Sequence, residues 1–355
     1  CQSMNSSTMM TKKSAVSTEV PSVPLDCWYA LALTSQLSTK PLSIPFVLGE
    51  LVAVRYPNGA VHVYNAKCAH RGCSLSGGWT QNNHLVCPYH GWQYDSDGVC
   101  THIPALREDE SIPTRARVKS YRCEERYGYL WVWIPGEIEE PNYEIENIPE
   151  CEFDRMKHHP SADNTYEFEA HFSRCIENGI DPTHAPFTLG GSMGKVDSKA
   201  DLSYPRYDID VTSRTIFAQM PVKVKKVNGL ARWFLKGDSE DIYKGYRFVY
   251  PNLLLSLVNF GRFAIVSVQV LVPTGENTTT MLNANYRNFL SNTPGVGKWF
   301  DDYTIKTGTK IAFEDDNIVV SQTPEQVKYK GSNEILVESD RILIEFRKMM
   351  KSHLI

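Results

Sequence analysis

The chain has 355 residues, 42% of them hydrophobic and 22% charged, ordinary values for a globular protein long enough to hold two domains. A net charge of -4 without a basic stripe argues against nucleic acid as a partner, and no apolar run approaches the ~20 residues of a membrane-spanning helix, so no membrane is expected. Nine cysteines without regular spacing point to a reducing compartment, read as cytoplasmic, and not to a disulfide framework.

Residues 1–25 are expected to form a disordered tail. The first part is rich in Ser, Thr, Lys and Met with no aromatic residue, and the opening Cys1-Gln2-Ser3-Met4 has the look of a cleavable-tag remnant. From Asp26-Cys27-Trp28-Tyr29 the pattern turns strand-like. Leu51–Tyr56 and Val61–Tyr64 are β-branched and aromatic runs separated by Pro57-Asn58-Gly59, which predicts a hairpin.

That hairpin leads into Cys68-Ala69-His70-Arg71-Gly72-Cys73, followed after an intervening loop by Cys87-Pro88-Tyr89-His90-Gly91-Trp92. One Cys-x-His pair and one Cys-x-x-His pair are thus separated by sixteen residues, each in a glycine- or proline-bearing turn. Zinc accepts two thiolates and two imidazoles in a tetrahedron, and a structural zinc loop is the alternative reading. A two-iron, two-sulfide centre of the Rieske kind uses the set more specifically, with two cysteines on one iron and two histidines on the other. Cys68 and Cys87 are expected on the first iron of a [2Fe-2S] cluster, His70 and His90 on the second. With these loops the chain resembles the Rieske non-haem iron oxygenases. Rieske proteins of respiratory complexes carry a disulfide between the two loops; here Cys73 stands at one half of that position and Tyr89 at the other, which favours the oxygenase branch.

Gln93-Tyr94-Asp95, Val118–Tyr121 and Tyr129–Ile134 predict further strands, with Ser96-Asp97-Gly98 a turn and Glu124-Glu125-Arg126-Tyr127-Gly128 a charged turn. His62, His84 and His102 lie outside the spaced pairs and read as surface or edge histidines. Together these elements predict a small antiparallel β-domain over 26–140, bounded by the polar, proline-flanked connector Pro135–Pro149, and a second domain over 141–355.

The texture turns helical near Glu167, reaching Asn178-Gly179-Ile180-Asp181-Pro182-Thr183-His184-Ala185-Pro186-Phe187-Thr188-Leu189. Asn178, Asp181 and His184 recur every third residue and would share one face of a helix or tight helical turn. The pattern resembles the family's Asn-x-x-Asp-x-x-His-x-x-x-x-His, whose two histidines bind a catalytic ferrous iron and whose aspartate links that iron to the cluster. The resemblance implies a third, carboxylate ligand far along the chain, and Glu314-Asp315-Asp316 before Asn317-Ile318-Val319-Val320 has the family's look, which assigns Asp315. The alternative is a solvated acidic helix face. At the second-histidine position stands Leu189, which has no lone pair to donate. Either Leu189 is natural and the scaffold has turned to electron transfer or ligand binding, or it is an introduced change that disables the enzyme; the intact Asn178, Asp181, His184 and Asp315 favour the latter.

Val222–Gly229, Ile242–Tyr250, Leu253–Val258 and Ile265–Val272 predict a sizeable antiparallel sheet. Residues 296 to 320 and Asp340–His353 predict helices, with Met349 and Met350 as packing residues. The expected fold class is therefore α+β: a Rieske β-domain followed by a helix-grip catalytic domain, a sheet around a long helix. The resemblance further implies mononuclear Fe(II), dioxygen and a small-molecule substrate. It also implies electrons from NAD(P)H through a ferredoxin or flavin reductase, a head-to-tail homotrimer, and hydroxylation or O- or N-demethylation as the reaction. Tyr246, Phe248, Tyr250 and Asn259 are candidate pocket residues, with core packing the alternative for each.

Overall fold

The computed structural model of the protein describes residues 23–153, 155–188, 208–221, 242–260, 263–290 and 295–354. The first third forms the short strands β1 (Cys27–Leu33), β2 (Leu42–Ile44), β3 (Leu51–Arg55), β4 (Val61–Asn65), β5 (Trp79–Gln81), β6 (His84–Val86), β7 (Gln93–Tyr94), β8 (Cys100–His102), β9 (Ser120–Tyr121), β10 (Cys123–Arg126) and β11 (Tyr129–Ile134). They pair antiparallel in three sheets, ordered β1-β11-β10, β2-β3-β4-β9 and β5-β6-β7-β8. The expected hairpin is β3–β4, and Gly59 takes the positive φ of 88° that its turn requires. The charged turn is shorter than expected. Cys123–Arg126 are paired to β11, and only Tyr127-Gly128 reverse the chain, both at positive φ as a two-residue hairpin demands.

The rest of the chain opens with the one-turn helix α1 (Pro149–Glu152) and strands β12 (Lys157–His158) and β13 (Asn164–Phe168), then α2 (Phe172–Ile180) and the short α3 (Ala185–Thr188). Strands β14 (Asp208–Val211), β15 (Thr215–Pro221), β16 (Ile242–Val249), β17 (Leu253–Phe260), β18 (Phe263–Gly275) and β19 (Thr278–Arg287) follow, then α4 (Val296–Val319) and α5 (Arg341–Leu354). The sheet runs β12-β19-β18-β17-β16-β15-β14, antiparallel throughout, with β13 also paired to β19. The helical texture read near Glu167 is thus corrected: Asn164–Phe168 is a strand in register with Asn283–Thr279, and the helix begins only at Phe172. The strand expected at Val222–Gly229 lies outside the described residues. On α5, Ile342, Phe346, Met349 and Met350 are buried, as packing residues are.

Two hydrophobic cores hold the structure. One, built from Val52, Tyr64, Leu75, Leu85, Tyr94 and their neighbours, lies beneath the cysteine- and histidine-bearing loops. The other is larger and continuous from β1 and β11 into the large sheet of β12 to β19. All six residues of β11 are buried, the signature of a strand covered on both faces. Asn252 Nδ2 donates to Ala30 O at 2.9 Å, and Tyr129 reaches β18 and β19 through its hydroxyl. Helix α4 lies against α2 and β13, leaving a cavity of about 440 Å³ between itself and the sheet. No helix among the described residues is long and apolar enough to cross a membrane.

Candidate metal centres

The two loops are built alike. Gly72 N–H donates to Cys68 O at 2.8 Å and Gly91 N–H to Cys87 O at 3.1 Å, and both glycines sit at φ near +70°, where a side chain is strained. Each loop thereby curls around its own cysteine. Cys68 and Cys87 are buried and in mutual contact, whereas His70 and His90 are half-buried with their Nδ1 atoms 3.1 Å apart. Trp92 stacks on the His70 ring at 4.7 Å and Tyr89 covers His90 at 3.8 Å. Glu50 braces the first loop by accepting from Ser43, Ser74 and Ser76. Cys73 is free, as are all eight cysteines of the described residues, and Tyr89 is exposed.

This donor set suits two metal ions better than one. Among the described residues no three His, Cys, Asp or Glu side chains converge on a point, as a single tetrahedral zinc would need. The sulfurs form an inner pair and the imidazoles an outer pair, the division a Rieske cluster uses.

The second centre is made by a helix that stops. Asp181 precedes Pro182, whose ring disfavours helical backbone before it, and Asp181 is extended at φ -78° and ψ 115°. The shared helical face is therefore corrected: Asn178 lies on α2, Asp181 caps it and His184 stands beyond the break. All three nevertheless line the cavity. Asp181 Oδ1 accepts from both Thr183 N–H and Thr183 Oγ1–H at 2.7 Å, which turns Oδ2 toward His184 Nδ1 at 3.6 Å. Across the ring, His184 Nε2 is 3.5 Å from Asp315 Oδ1.

Neither separation is a good hydrogen bond, and His184 Nδ1 and Asp315 Oδ1 are both buried without a partner. Burial alone would depress the imidazole; the flanking carboxylates of Asp181 and Asp315 outweigh it and hold His184 up at about 9. Burial likewise opposes ionisation of Asp181, and His184 with Thr183 overcome it, keeping that carboxyl below its ordinary range. The pocket is thus organised for positive charge, and a divalent cation between Nε2 and Oδ1 would satisfy the orphaned oxygen.

The acidic run on α4 does not form one solvated face. Glu314 points toward Lys310 at 3.7 Å, Asp316 accepts from Tyr166 OH at 3.4 Å and Glu169 N–H at 3.2 Å, and Asp315 meets His184. Leu189 lies outside the described residues. Of the candidate pocket residues, Tyr246 lines the cavity. Phe248 instead packs on Phe346 at 5.0 Å, Tyr250 stacks on His353 at 4.1 Å, and Asn259 donates to Tyr243 OH at 3.1 Å. Sequence reading missed Lys244, Asn164, Ser267, Gln269 and Asn283 on the cavity wall. Their signal was polar side chains recurring at period two inside apolar strands.

Two families match the chain: residues 27–122 match the Rieske [2Fe-2S] domain, and residues 168–354, more than half of the chain, the vanillate O-demethylase oxygenase C-terminal domain. Methylxanthine N1-demethylase NdmA of Pseudomonas putida is 26% identical over 344 residues, covering 91% of this chain and 87% of that protein. Cholesterol 7-desaturase nvd of Hemicentrotus pulcherrimus is 32% identical over 189 residues, and there the match spans 39% of the relative's length. Among solved structures, Pseudomonas putida CBB5 NdmA with caffeine shares the fold at a TM-score of 0.74 and 22% identity, over 91% of this chain and 89% of that one. Dicamba monooxygenase bound to dicamba does so at 0.72 and 21% identity, over 92% and 97%. The family carries a Rieske cluster and a mononuclear iron and uses dioxygen on an organic substrate. The chain belongs to the Rieske non-haem iron oxygenases, as a catalytic component related to the demethylases.

Proposed function

We propose that the chain is the terminal oxygenase of a Rieske-type monooxygenase, which hydroxylates a small organic molecule or removes an O- or N-methyl group from it. The observation that carries this reading is the approach of His184 Nε2 to Asp315 Oδ1 at 3.5 Å on the wall of the cavity. In this reading Cys68 and Cys87 hold one iron of the cluster, His70 and His90 the other, and His184 with Asp315 the mononuclear iron. When bound, that iron supplies activation of dioxygen from its open positions. The chain's own residues do the positioning. Thr183 ties Asp181, Asp181 faces His184 Nδ1 and so favours a proton on that nitrogen, which leaves Nε2, on the Asp315 side, as the atom that would meet a metal ion in place of its proton. Asn178 completes this end of the wall, and the sheet and α4 hold substrate and exclude water.

Electrons come, in this reading, from NAD(P)H through a ferredoxin or flavin reductase. The outward placement of His70 and His90 supports passage of electrons across the molecular surface. It also supports a cyclic head-to-tail trimer in which Asp181 of one subunit meets a cluster histidine of the next. The division into domains at 26–140 and 141–355 belongs to the same proposal.

Leu189 favours a second reading, electron transfer or ligand binding without oxygenation, because it leaves two protein ligands where the family pattern has three. Iron per chain under reducing conditions separates the two. The oxygenase reading expects about three irons in Leu189→His protein supplied with ferrous iron, two from the cluster and one between His184, Asp315 and the restored imidazole. Two irons under every condition would leave the second reading and remove the roles given to His184 and Asp315.

A further inference from the structure

The cavity is long, and its two ends differ in chemistry. His184 and Asp315 stand at one end, where Asp316 reaches Tyr166 on β13. At the other, Phe300 in the first turns of α4 receives the Arg287 guanidinium at 5.1 Å. Thr304 and Asp315, both on the wall, are eleven residues apart on α4, roughly 16 Å of helical rise.

The sheet provides a second ruler. Leu254, Ser256 and Val258 face the cavity from β17, and Leu254 sits so close to Gly179, beside Asn178, that a Cβ there would be 2.3 Å away. Lys244 pairs with Val258, Val258 with Ile265, and Ile265 with Arg287. Lys244 therefore belongs to the Arg287 row, roughly 13 Å along the strands from the Leu254 row that adjoins the His184 end.

Lys244 differs from the other enclosed cations. Arg174, Arg247, Arg287 and Arg347 each meet a carboxylate, respectively Glu177, Glu150, Asp301 and again Glu177. Lys244 has no hydrogen bond or ion pair among the described residues, and burial alone pushes its ammonium down from the ordinary lysine range. An ammonium so placed is unfavourable unless something pairs it.

The wall carries one more open donor. Ser267 Oγ–H donates to Asn283 Oδ1 at 2.7 Å and Asn283 Nδ2 to Asn164 Oδ1 at 2.9 Å. That chain ends at Asn164 Nδ2, buried without a partner. Away from His184 and Asp315, two donors thus stand open on the wall, Asn164 Nδ2 and the charged Lys244 Nζ.

We propose that the cavity binds an elongated organic carboxylate end-on: its carboxylate on Lys244 Nζ, a neutral acceptor oxygen on Asn164 Nδ2, and its reacting carbon toward His184 and Asp315. Only the last of these placements rests on the oxygenase reading. The two rulers put the charged group on the order of 10 Å from the reacting carbon, which disfavours compact benzoates.

The test is calorimetric titration of phenylalkanoates of increasing chain length, each against its matched primary amide, into the cluster-loaded protein and its Lys244→Met and Lys244→Arg variants. At the favoured length the unaltered protein should prefer the acid by about tenfold or more. The preference should vanish in Lys244→Met and return in Lys244→Arg. Ligand-free Lys244→Met should also melt at a higher temperature, because an unpaired ammonium has been removed. Equal affinity for acid and amide, no binding of any acid, a preference surviving in Lys244→Met, or a lower melting temperature for that variant overturns the proposal. Counting iron in Leu189→His protein separates the two failures. Acid preference without a third iron keeps the Lys244 site and removes the oxygenase reading; a third iron without acid preference does the reverse.

Discussion

Tyr94 accepts the Ala69 N–H at 3.1 Å and so has its own proton free for Cys68 Sγ, 3.0 Å away. A hydrogen bond to a ligating sulfur stabilises the reduced cluster, and a net value near 1 kcal/mol corresponds to roughly 40 mV in a one-electron couple. Tyr94→Phe should therefore lower the cluster's reduction potential by about that amount in protein-film voltammetry; an unchanged or raised potential would show that the hydroxyl does not donate to the sulfur. At this scale the sequence was informative where spacing is local. Cys68, His70, Cys87 and His90 are drawn together because two short loops carry both these side chains and the glycines that bend them. It was silent where function depends on which way a strand residue points. Lys244, one of many lysines, acquires its character only by facing a cavity closed by a helix some sixty residues downstream.

Helix α2 shows how an element's ends set its purpose. His171 caps its start, with Nδ1 accepting from the Ser173 N–H at 3.2 Å, and the buried ring is held neutral at about 4, burial being the main cause and Arg174 the second. An unfolded histidine takes its proton near pH 6.5, so between 6.5 and 4 the unfolded chain binds more protons than the folded one. Stability should fall as pH drops through that window, by roughly 3 kcal/mol in all from this group. His171→Asn keeps a capping oxygen and should flatten the dependence in urea melts at pH 7, 6, 5 and 4. Equal slopes for both proteins would remove His171 as the cause. At the helix's other end the face expected to be shared by Asn178, Asp181 and His184 gives way to the break that Pro182 imposes, and the strand before the helix was also misread. Asn164–Phe168 is too short for its alternation to outweigh a helical neighbourhood, and its identity comes from pairing with β19, more than a hundred residues away.

Across the whole molecule, one tyrosine ties the first strands to the catalytic sheet. The buried Tyr129 hydroxyl donates to Val268 O at 2.6 Å and accepts from Ala284 N–H at 2.9 Å. Tyr129→Phe would leave those backbone groups unpaired inside the common core, a loss of about 1–3 kcal/mol. Because β11 and the large sheet share that core, loss of cluster absorbance and of far-ultraviolet circular dichroism should both move to lower urea in this variant, and together. A shift confined to one signal would show that the two regions unfold independently.

The sequence by itself determined what depends on neighbours along the chain: the paired cysteine and histidine loops with their left-handed glycines, the apolar strands and the long helix before residue 320. These are short-range consequences of backbone sterics and hydrophobic period. Only the tertiary structure decided that α2 stops at Asp181, that β11 is buried on both faces, and that Lys244 stands at the cavity's far end without a partner among the described residues. Each of those depends on the register and orientation of elements distant in sequence, which many residues specify jointly and no local motif records.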